Sequence, residues 1–213
     1  MEKTLPPARQ QRSRDTEERL LNAALALLEE GGLDAALIPR IAELAQVAPA
    51  SVYRRFADKS ALLRAAFLTM LRASHQATRE QAVQLVLRAS LAETLRQVAN
   101  RMMQQYREHP QLLRALVRFM QSDTDAGFVT EARAIIRQNT DAVVEQLMAH
   151  RAEVRHVPKR AALHFAVTGM ACTIESFALD QESLWHADSA MSDQDMAARV
   201  AHTALAYLLT PLQ

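Results

Sequence analysis

Apolar residues recur three and four positions apart along most of the chain, which is the spacing that places them on one side of an α-helix. The first clear run contains Leu20, Leu21, Ala24, Leu27 and Leu28. The 213-residue sequence has only 4 glycines and 7 prolines, so few residues are present that would interrupt such helices. No alternating pattern of the kind that predicts a strand persists for more than a few residues. We therefore predict an all-α protein.

The breaks between the predicted helices coincide with glycine, proline and clusters of short polar residues. A first helix is expected to begin at Asp15, where Glu18 completes a capping box, and to end at Gly31 and Gly32. Short helices over 39–45 and 49–56 follow. The remaining helices are predicted over 59–76, 79–88, 91–107, 110–121, 125–151, 158–181 and 194–209.

The first 14 residues differ in composition from the rest of the chain. They contain two prolines, four basic residues and almost nothing to bury, so we predict a flexible basic arm over 1–14. Short helices over 15–62 are expected to form a small head. Longer helices over 63–213 are expected to form a larger bundle.

Cysteine content and hydropathy exclude several classes of protein. The single cysteine, Cys172, excludes an internal disulfide framework, and its apolar neighbours predict that it is buried. The residues before Asp15 contain no apolar run, so no secretory signal is expected. No uninterrupted apolar stretch reaches the roughly 18 residues that cross a bilayer. We expect a cytoplasmic protein that does not enter a membrane.

Net charge alone does not indicate a nucleic-acid partner. The chain has a net charge of +1, and residues 1–60 contain nine basic and nine acidic residues. A basic field that would attract DNA is therefore absent from the overall balance. Any prediction of DNA binding depends on where individual charges lie.

The segment PASVYRRF, residues 49–56, separates its apolar and polar residues when it is drawn as a helix. At about 100° per residue, Val52, Phe56 and Pro49 face inward. The other side carries small residues near the helix start, Ala50 and Ser51, and hydrogen-bond donors beyond them, Tyr53 and Arg54. Arg55 lies on the flank of this side. This face suits the major groove of DNA, where Ser51 would read a base edge and Tyr53 and the arginines would bind phosphates.

The preceding segment, IPRIAELAQVA, predicts a helix that packs beneath the helix over 49–56 and supports it. Ile41, Leu44 and Ala45 are spaced to pack beneath it, and Arg40 points outward. Two short helices joined by a tight turn form a helix-turn-helix. Lys59 precedes the next helix, whose free N–H groups provide a second phosphate site. The predicted DNA-binding residues are Arg40, Pro49, Ala50, Ser51, Tyr53, Arg54, Arg55 and Lys59.

The segment GGLDAALIPRIAELAQVAPASVYRRFADKSALL resembles the signature of the tetracycline-repressor (TetR) family of transcriptional regulators. The matching positions are Gly31, Gly32, Ile41, Ala42, Ala45, Val47, Ser51, Val52, Tyr53, Phe56, Lys59, Leu62 and Leu63. Two positions depart from the family pattern. The support helix begins with LIP rather than with a serine or threonine cap, and Gln46 stands where the family favours glycine. A left-handed Gln46 would cost about 1 kcal/mol.

The resemblance implies a regulator, in most cases a repressor, that binds a palindromic operator in double-stranded DNA as a homodimer. It also implies that residues 63–213 bind a small effector and dimerise through the last two helices. An effector that moved the helix beginning near Lys59 would change the separation of the two heads and release the DNA. The stripes expected at the dimer interface are Leu163, Val167, Met170, Ile174 and Phe177, followed by Val200, Ala204, Tyr207 and Leu208.

Methionine and aromatic residues in the longer helices are candidates for an effector pocket that takes an apolar or amphipathic molecule. These candidates are Met102, Met103, Tyr106, Phe119, Phe165, Met170, Phe177 and Trp185. Polar residues among them that would orient a ligand are Arg118, His164 and Glu175. The alternative is that the apolar residues only fill the core.

No catalytic constellation is found, and we predict a non-enzymatic protein without a metal or cofactor. Glu153 and His156 have the spacing used in di-iron helical bundles, but that site needs a second such pair and further carboxylates. The competing hypothesis is a helical adaptor whose arginine-rich face contacts a protein or a membrane. Salt-sensitive, sequence-specific DNA binding separates the two. Arg9, Arg12 and Arg14 are candidates for minor-groove contact, and a disordered tail is the alternative.

Overall fold

The computed structural model describes residues 7–83, 90–187 and 191–210. Within these ranges all regular structure is helical, which confirms the predicted fold class. Short 3-10 turns lie at Met148–His150 and Leu184–His186. The α-helices are α1 (Pro7–Ala35), α2 (Ile38–Leu44), α3 (Pro49–Tyr53), α4 (Lys59–Val83), α5 (Leu91–Glu108), α6 (Pro110–Ser122), α7 (Ala126–Leu147), α8 (Lys159–Leu179) and α9 (Asp193–Leu209).

The first helix begins earlier than predicted, at Pro7, whose missing N–H is tolerated in a first turn. The Nε2 of Gln11 donates to Oδ1 of Asp15 at 2.8 Å, across the predicted start. Asp15 therefore lies inside α1 and does not cap it. The prediction of a flexible arm is wrong for residues 7–14, and residues 1–6 lie outside the described part of the chain.

Helical geometry in α1 ends at the two glycines, as predicted. Gly31 has φ −153°, and Gly32 has φ +66° with ψ −153°. The positive φ of Gly32 is a conformation that glycine adopts at little cost and other residues rarely adopt. The two glycines thus let the chain turn toward α2.

The fourth helix is continuous, although two helices were predicted over 59–76 and 79–88. It contains no glycine or proline, so nothing in the sequence interrupts it. The Nε2 of Gln76 donates to Oε1 of Glu80 at 2.7 Å, across the predicted break. Residues 84–88 of the second predicted helix lie outside the described ranges.

Three other helices are shorter than predicted. Helix α3 ends at Tyr53 rather than at residue 56, α7 ends at Leu147 rather than at residue 151, and α8 ends at Leu179 rather than at residue 181. Each predicted range had included the irregular turn that follows the helix.

The chain divides into two compact units. Unit 1 consists of Met1–Arg72 with Gln111–Ala132, and unit 2 consists of Ala73–Pro110 with Arg133–Gln213. Contacts therefore group most of α6 and the start of α7 with the head. The boundary predicted at residue 62 divides a DNA-binding part from an effector-binding part. This functional division stays a prediction.

Apolar side chains from α1, α2, α3 and α4 form the core of unit 1 around the head. An aromatic cluster continues this core, since the ring of Phe67 lies 5.3 Å from that of Phe119, which lies 5.5 Å from that of Phe128. The buried residues of α1 to α4 include Leu20, Leu27, Leu28, Ile41, Val52, Leu62, Leu63 and Phe67.

An ion pair links α4 to the loop between α6 and α7 within unit 1. The Nε of Arg64 lies 3.0 Å from Oδ2 of Asp123, and its Nη1 lies 3.6 Å from Oδ2 of Asp125. The backbone N–H of Asp125 also donates to Oδ1 of Asp123 at 2.7 Å. The hydrogen bond to Asp123 raises the pKa of the Arg64 guanidinium above its usual value, so the pair stays charged.

Helices α5, α8 and α9 build the core of unit 2, to which α7 adds Val144 and Leu147. By length and composition α8 could cross a membrane, but half of its apolar window is buried inside the protein. Its buried residues belong to the core of unit 2. Cys172, on α8, is exposed, so the prediction that it is buried is wrong.

The turn between α2 and α3 is closed by two backbone hydrogen bonds. The N–H of Gln46 donates to the carbonyl of Glu43, and the N–H of Val47 donates to the carbonyl of Ala42, both at 2.9 Å. This pairing is the Schellman motif, which ends a helix with one left-handed residue. Gln46 is that residue, with φ +55°, so the conformation considered for it from the sequence is confirmed.

Gln46→Gly is expected to raise the free energy of unfolding by up to about 1.5 kcal/mol. Relief of left-handed strain, about 1–2 kcal/mol, outweighs the extra entropy of glycine in the unfolded chain, roughly 0.5–1 kcal/mol. The Gln46 side chain is exposed, so little packing is lost. Urea unfolding followed by circular dichroism measures the change. Gln46→Ala keeps the β-carbon and should leave the midpoint almost unchanged, whereas a lower midpoint for the glycine variant would refute the argument.

Candidate DNA-binding surface

The candidate surface is built on α2 and α3, which form a helix-turn-helix. Helices of 7 and 5 residues are too short to be stable alone, so packing within unit 1 holds them. Leu37 occupies the N-cap of α2 without a side-chain hydrogen bond, which confirms the missing cap predicted from the sequence. Ala48, at the N-cap of α3, also makes no side-chain hydrogen bond, and Pro49 is the first helical residue.

The inner face of α3 is largely as predicted. Val52 and Phe56 are buried in the head. Pro49, which the helical pattern placed inward, is exposed. A helical wheel gives the direction of a side chain, but it does not show whether a neighbouring element reaches far enough to cover it.

Tyr53 and Arg54 lie on the outer face of α3. The Arg54 side chain covers Ser51. Tyr53 is 60% exposed, and Ala50 and Arg54 are also exposed, whereas Ser51 is only 8% exposed. Nη2 of Arg54 donates to Oγ of Ser51 at 2.6 Å. The prediction that Ser51 faces outward is therefore wrong for the free protein, because an arginine three residues later folds back over it.

Arg55 joins α3 to the first half of α1. Its Nη1 donates to the Ser51 carbonyl at 3.4 Å, and its Nη2 lies 3.5 Å from both the carbonyl and Oγ of Ser13. The side chain is half-buried, and its Nε is buried without a hydrogen-bond partner. Arg55 thus serves the packing of the head in this structure. Ser13 was not singled out from the sequence, since a contact across 42 residues leaves no local signal.

The two outlying predicted cations, Arg40 and Lys59, are already bonded to the protein. Nη2 of Arg40 lies 3.0 Å from Oε1 of Glu30 in an exposed ion pair. Nζ of Lys59 donates to the carbonyl of Leu33 at 3.0 Å, beyond the glycine turn of α1. Neither partner was identified from the sequence.

The start of α4 is capped by a carboxylate. Oδ1 of Asp58 accepts the backbone N–H of Ala61 at 2.7 Å. The expected free N–H groups at this terminus are therefore partly satisfied, and the adjacent negative charge opposes a phosphate. The second phosphate site formed by the remaining N–H groups stays a prediction.

The exposed face of α3 and the residue after it thus present a phenol hydroxyl and a guanidinium close to small residues. Such donors contact phosphate oxygens and base edges in protein–DNA complexes. Of the eight predicted DNA-binding residues, the structure leaves Pro49, Ala50, Tyr53 and Arg54 exposed without a bond to a neighbouring helix. The other four are buried or hydrogen-bonded elsewhere in the head.

The predicted effector residues are not brought together at one place. Phe119 belongs to unit 1, where it packs between Phe67 and Phe128. The others belong to unit 2 and differ in exposure, since some are core residues and some face solvent. Met103, Met170 and Phe177 are buried, Met102 and Tyr106 are half-buried against the core, and Phe165 and Trp185 are exposed.

Tyr106 and Glu175 form a polar pair at the edge of the unit 2 core. The hydroxyl of Tyr106 donates to Oε2 of Glu175 at 3.3 Å. Burial, followed by the neighbouring charge of Glu175, raises the pKa of Tyr106 well above its usual value. The hydroxyl therefore remains a donor across the physiological range.

An apolar groove of about 290 Å³ lies between α8 and α9. The ring centroids of Phe165 and Tyr207 lie 5.0 Å apart there. Residues lining the groove include Phe165, Gly169, Met170, Trp185, Arg199 and Tyr207. Three of the predicted effector residues thus share one surface, although it is open to solvent.

Most residues of the stripes predicted for the dimer interface are buried in unit 2, although Met170, Val200, Ala204 and Tyr207 also line the groove between α8 and α9. All but the half-buried Tyr207 are buried. The eight buried residues of the two stripes are Leu163, Val167, Met170, Ile174, Phe177, Val200, Ala204 and Leu208.

Glu153 and His156, the pair weighed as metal ligands, have separate partners. The carboxylate of Glu153 accepts the N–H of Leu91 at 3.1 Å, and Nε2 of His156 bonds with the carbonyl of Tyr207 at 2.6 Å. No cluster of three or more potential metal ligands occurs in the ranges that the structure describes.

Comparison with known proteins identifies the head. Residues 20–66 match the family model of bacterial regulatory proteins of the tetR family. None of the curated proteins compared with the chain matches it.

Solved structures share the fold across most of the chain. One described as a TetR-family transcriptional regulator from Mesorhizobium loti is 17% identical, covers 92% of this chain and 97% of its own, and has a TM-score of 0.71. A TetR transcriptional regulator from Agrobacterium tumefaciens is 17% identical, with coverages of 90% and 92% and a TM-score of 0.64. The regulator FadR from Bacillus subtilis, solved with stearoyl-CoA, is 15% identical, with coverages of 92% and 99% and a TM-score of 0.60.

The helix-turn-helix head matches the tetR-family model, and the all-helical fold is the one that the solved TetR-family structures share. The matched model covers the predicted signature, from the core of α1 to the first turns of α4. The resemblance found in the sequence is thereby confirmed.

Proposed function

We propose that the protein is a ligand-responsive transcriptional repressor that binds a palindromic DNA operator as a homodimer. A small apolar or amphipathic molecule would bind in unit 2 and release the DNA. The proposal places the protein in the cytoplasm and assigns it no enzymatic activity.

The exposure of Tyr53 and Arg54 on α3 is the observation that carries this proposal. Their helix buries Val52 and Phe56 against the head, so its polar side is held outward by the core. A helix held in this way, at the second position of a helix-turn-helix, presents its side chains to the major groove.

Within this surface, we assign base contacts to the small-residue end of α3 and phosphate contacts to its flanks. Pro49 and Ala50 are exposed and small, which allows close approach to the groove. Tyr53 reaches a phosphate from one flank. Arg40, Arg55 and Lys59 would bind phosphates only by exchanging or sharing the partners they have in the free protein.

Selection of bound duplexes from a random pool tests the proposal. We expect an inverted repeat whose half-sites are centred one helical turn apart, roughly 34–36 Å along the DNA. Affinity for the selected duplex should fall steeply as salt rises and should exceed that for unrelated DNA. A pool that yields no enriched sequence would contradict the proposal and favour the adaptor hypothesis.

Tyr53→Phe tests the phosphate contact with minimal change in packing. Loss of the hydroxyl should weaken binding to selected and unrelated duplexes by a similar factor, because a phosphate contact carries no sequence information. Arg101→Ala, which removes an exposed cation from α5, should change neither affinity. A change in sequence preference for the tyrosine variant would contradict the assignment.

We propose the groove between α8 and α9 as the surface where a second copy packs. Phe165 is exposed beside Tyr207 and Trp185, and an apolar patch of this kind marks an interaction site. Gly169 has no side chain, and open space lies where a β-carbon would be, so a partner helix can approach closely. A palindromic operator requires a two-fold partner, which the same surface on each copy supplies.

The polar pair of Tyr106 and Glu175 is our candidate for orienting the effector. A few polar groups within an apolar lining are typical of ligand sites, and Met102 lies on the same helix. The FadR structure contains stearoyl-CoA, an amphipathic ligand, which supports a ligand of that general character. Small molecules that raise the melting temperature should also release the selected duplex. A broad screen in which no molecule changes DNA affinity would count against this part of the proposal.

A further inference from the structure

The hydrogen bond between Arg54 and Ser51 changes which of these two residues is available to contact a base. Ser51 is nearly covered, so its hydroxyl has no open path to a base edge. The group that covers it is the guanidinium of Arg54, at 2.6 Å. Whatever approaches this part of α3 from outside meets Arg54 first.

The Arg54 side chain points toward the first turn of α3, where the side chains are small. Arg54 follows the last residue of the helix, about 200° around it from buried Val52, and therefore points away from the head. Helical side chains lean toward the N-terminus, and the bond to Ser51 draws the guanidinium back by one turn. It consequently lies over the first turn, which Pro49 and Ala50 leave uncrowded.

The guanidinium retains most of its hydrogen-bonding capacity in this position. It has five N–H donors in a planar fork, and the Ser51 hydroxyl accepts from one of them. Arg54 makes no ion pair with any residue in the described ranges. A planar, unpaired fork at the groove-facing end of a helix matches the O6 and N7 acceptors of guanine, the commonest partner of arginine in the major groove.

We propose that Arg54 reads a guanine in each half-site of the operator and that Ser51 is a positioning residue that holds its guanidinium. This inference rests on the proposed DNA-binding function and assigns its sequence specificity. It reverses the expectation from the sequence, in which Ser51 read the base and Arg54 bound a phosphate.

Binding to the selected operator with one substituted base tests the role of Arg54. Replacing the conserved guanine by 7-deazaguanine removes the N7 acceptor but keeps O6, so it should weaken binding of the unaltered protein by part of the roughly 5- to 150-fold that a bidentate contact provides. Arg54→Ala removes both hydrogen bonds and the charge, so it should lose a larger factor and should no longer distinguish guanine from 7-deazaguanine. Arg54→Lys keeps the charge without the planar fork, so it should retain more non-specific affinity than Arg54→Ala while discriminating less than arginine.

Ser51 is tested through its dependence on Arg54. Ser51→Ala should reduce discrimination at the same guanine, and Ser51→Thr, which keeps the hydroxyl, should restore it. In the Arg54→Ala background, Ser51→Ala should have little further effect, because the group that it positions is gone. Circular dichroism melting curves confirm that each variant retains the folded head.

The outcomes separate this inference from the function on which it rests. If a specific operator is selected but Arg54→Ala keeps full discrimination against 7-deazaguanine, the assignment to Arg54 is overturned and the regulator remains. If the two substitutions act additively at the operator, Ser51 is not a positioning residue. If no operator is selected, the proposed function itself fails.

Discussion

Phe165→Glu is expected to convert the protein from a dimer to a monomer and to lower operator affinity by roughly 10²- to 10⁴-fold, the gain that linking two binding modules provides. Phe165 is 66% exposed in the single chain, so its replacement costs unit 2 little packing. In the dimer, the groove would enclose a carboxylate from each copy. Removing a carboxylate from water is strongly unfavourable even beside Arg199, which also lines the groove, so the interface should fail while the fold persists.

Ile136→Glu is the matched control for this substitution. Ile136 is also a large apolar residue of unit 2, is 41% exposed and is not among the residues that line the groove. Light scattering after gel filtration should give a dimer for this control and a monomer for Phe165→Glu. A Phe165→Glu variant that remains dimeric at micromolar concentration would place the interface elsewhere.

Arg64→Met should lower the free energy of unfolding by about 3 kcal/mol, the lower end of the range for removing one partner of a buried ion pair. The Asp123 side chain is only 2% exposed, and that of Arg64 is 24% exposed. Methionine preserves the apolar stem but leaves the Asp123 carboxylate without its cation. Urea unfolding followed by circular dichroism measures the loss.

A second ion pair in unit 1 supplies the comparison. Arg72, also on α4, pairs with Glu131 on α7, but the two side chains are 60% and 46% exposed. Arg72→Met should therefore cost no more than about 0.5 kcal/mol, as is usual for exposed pairs. Equal effects of the two substitutions would show that burial of Asp123 does not govern the strength of the Arg64 pair.

The position and inward face of the recognition helix were predictable because they depend on local spacing. Val52 and Phe56 are four residues apart, so any helical conformation of this segment places them together. Gly32 and Gln46 were predictable for a similar reason, since each conformation is imposed by a turn between two adjacent helices. The helix-turn-helix is read from fewer than 20 consecutive residues.

The contacts that decide which cations are available were not predictable from spacing. Arg55 meets Ser13 across 42 residues, and Arg64 meets Asp123 across 59. Neither pairing has a local pattern, because each depends on how separate helices pack. Ser51 was misplaced for a different reason: a helical wheel gives the direction of the β-carbon but not the path of the long side chain that covers it.

The ion pair between Arg40 and Glu30 also affects how many ions the head exchanges with solution. In the proposed DNA complex, a phosphate that took Arg40 from Glu30 would leave this carboxylate to attract a cation from solution. That uptake would offset part of the cation release from the DNA, on which the steepness of salt dependence rests. The logarithmic slope for this protein should therefore be shallower than the number of basic side chains at the DNA would suggest.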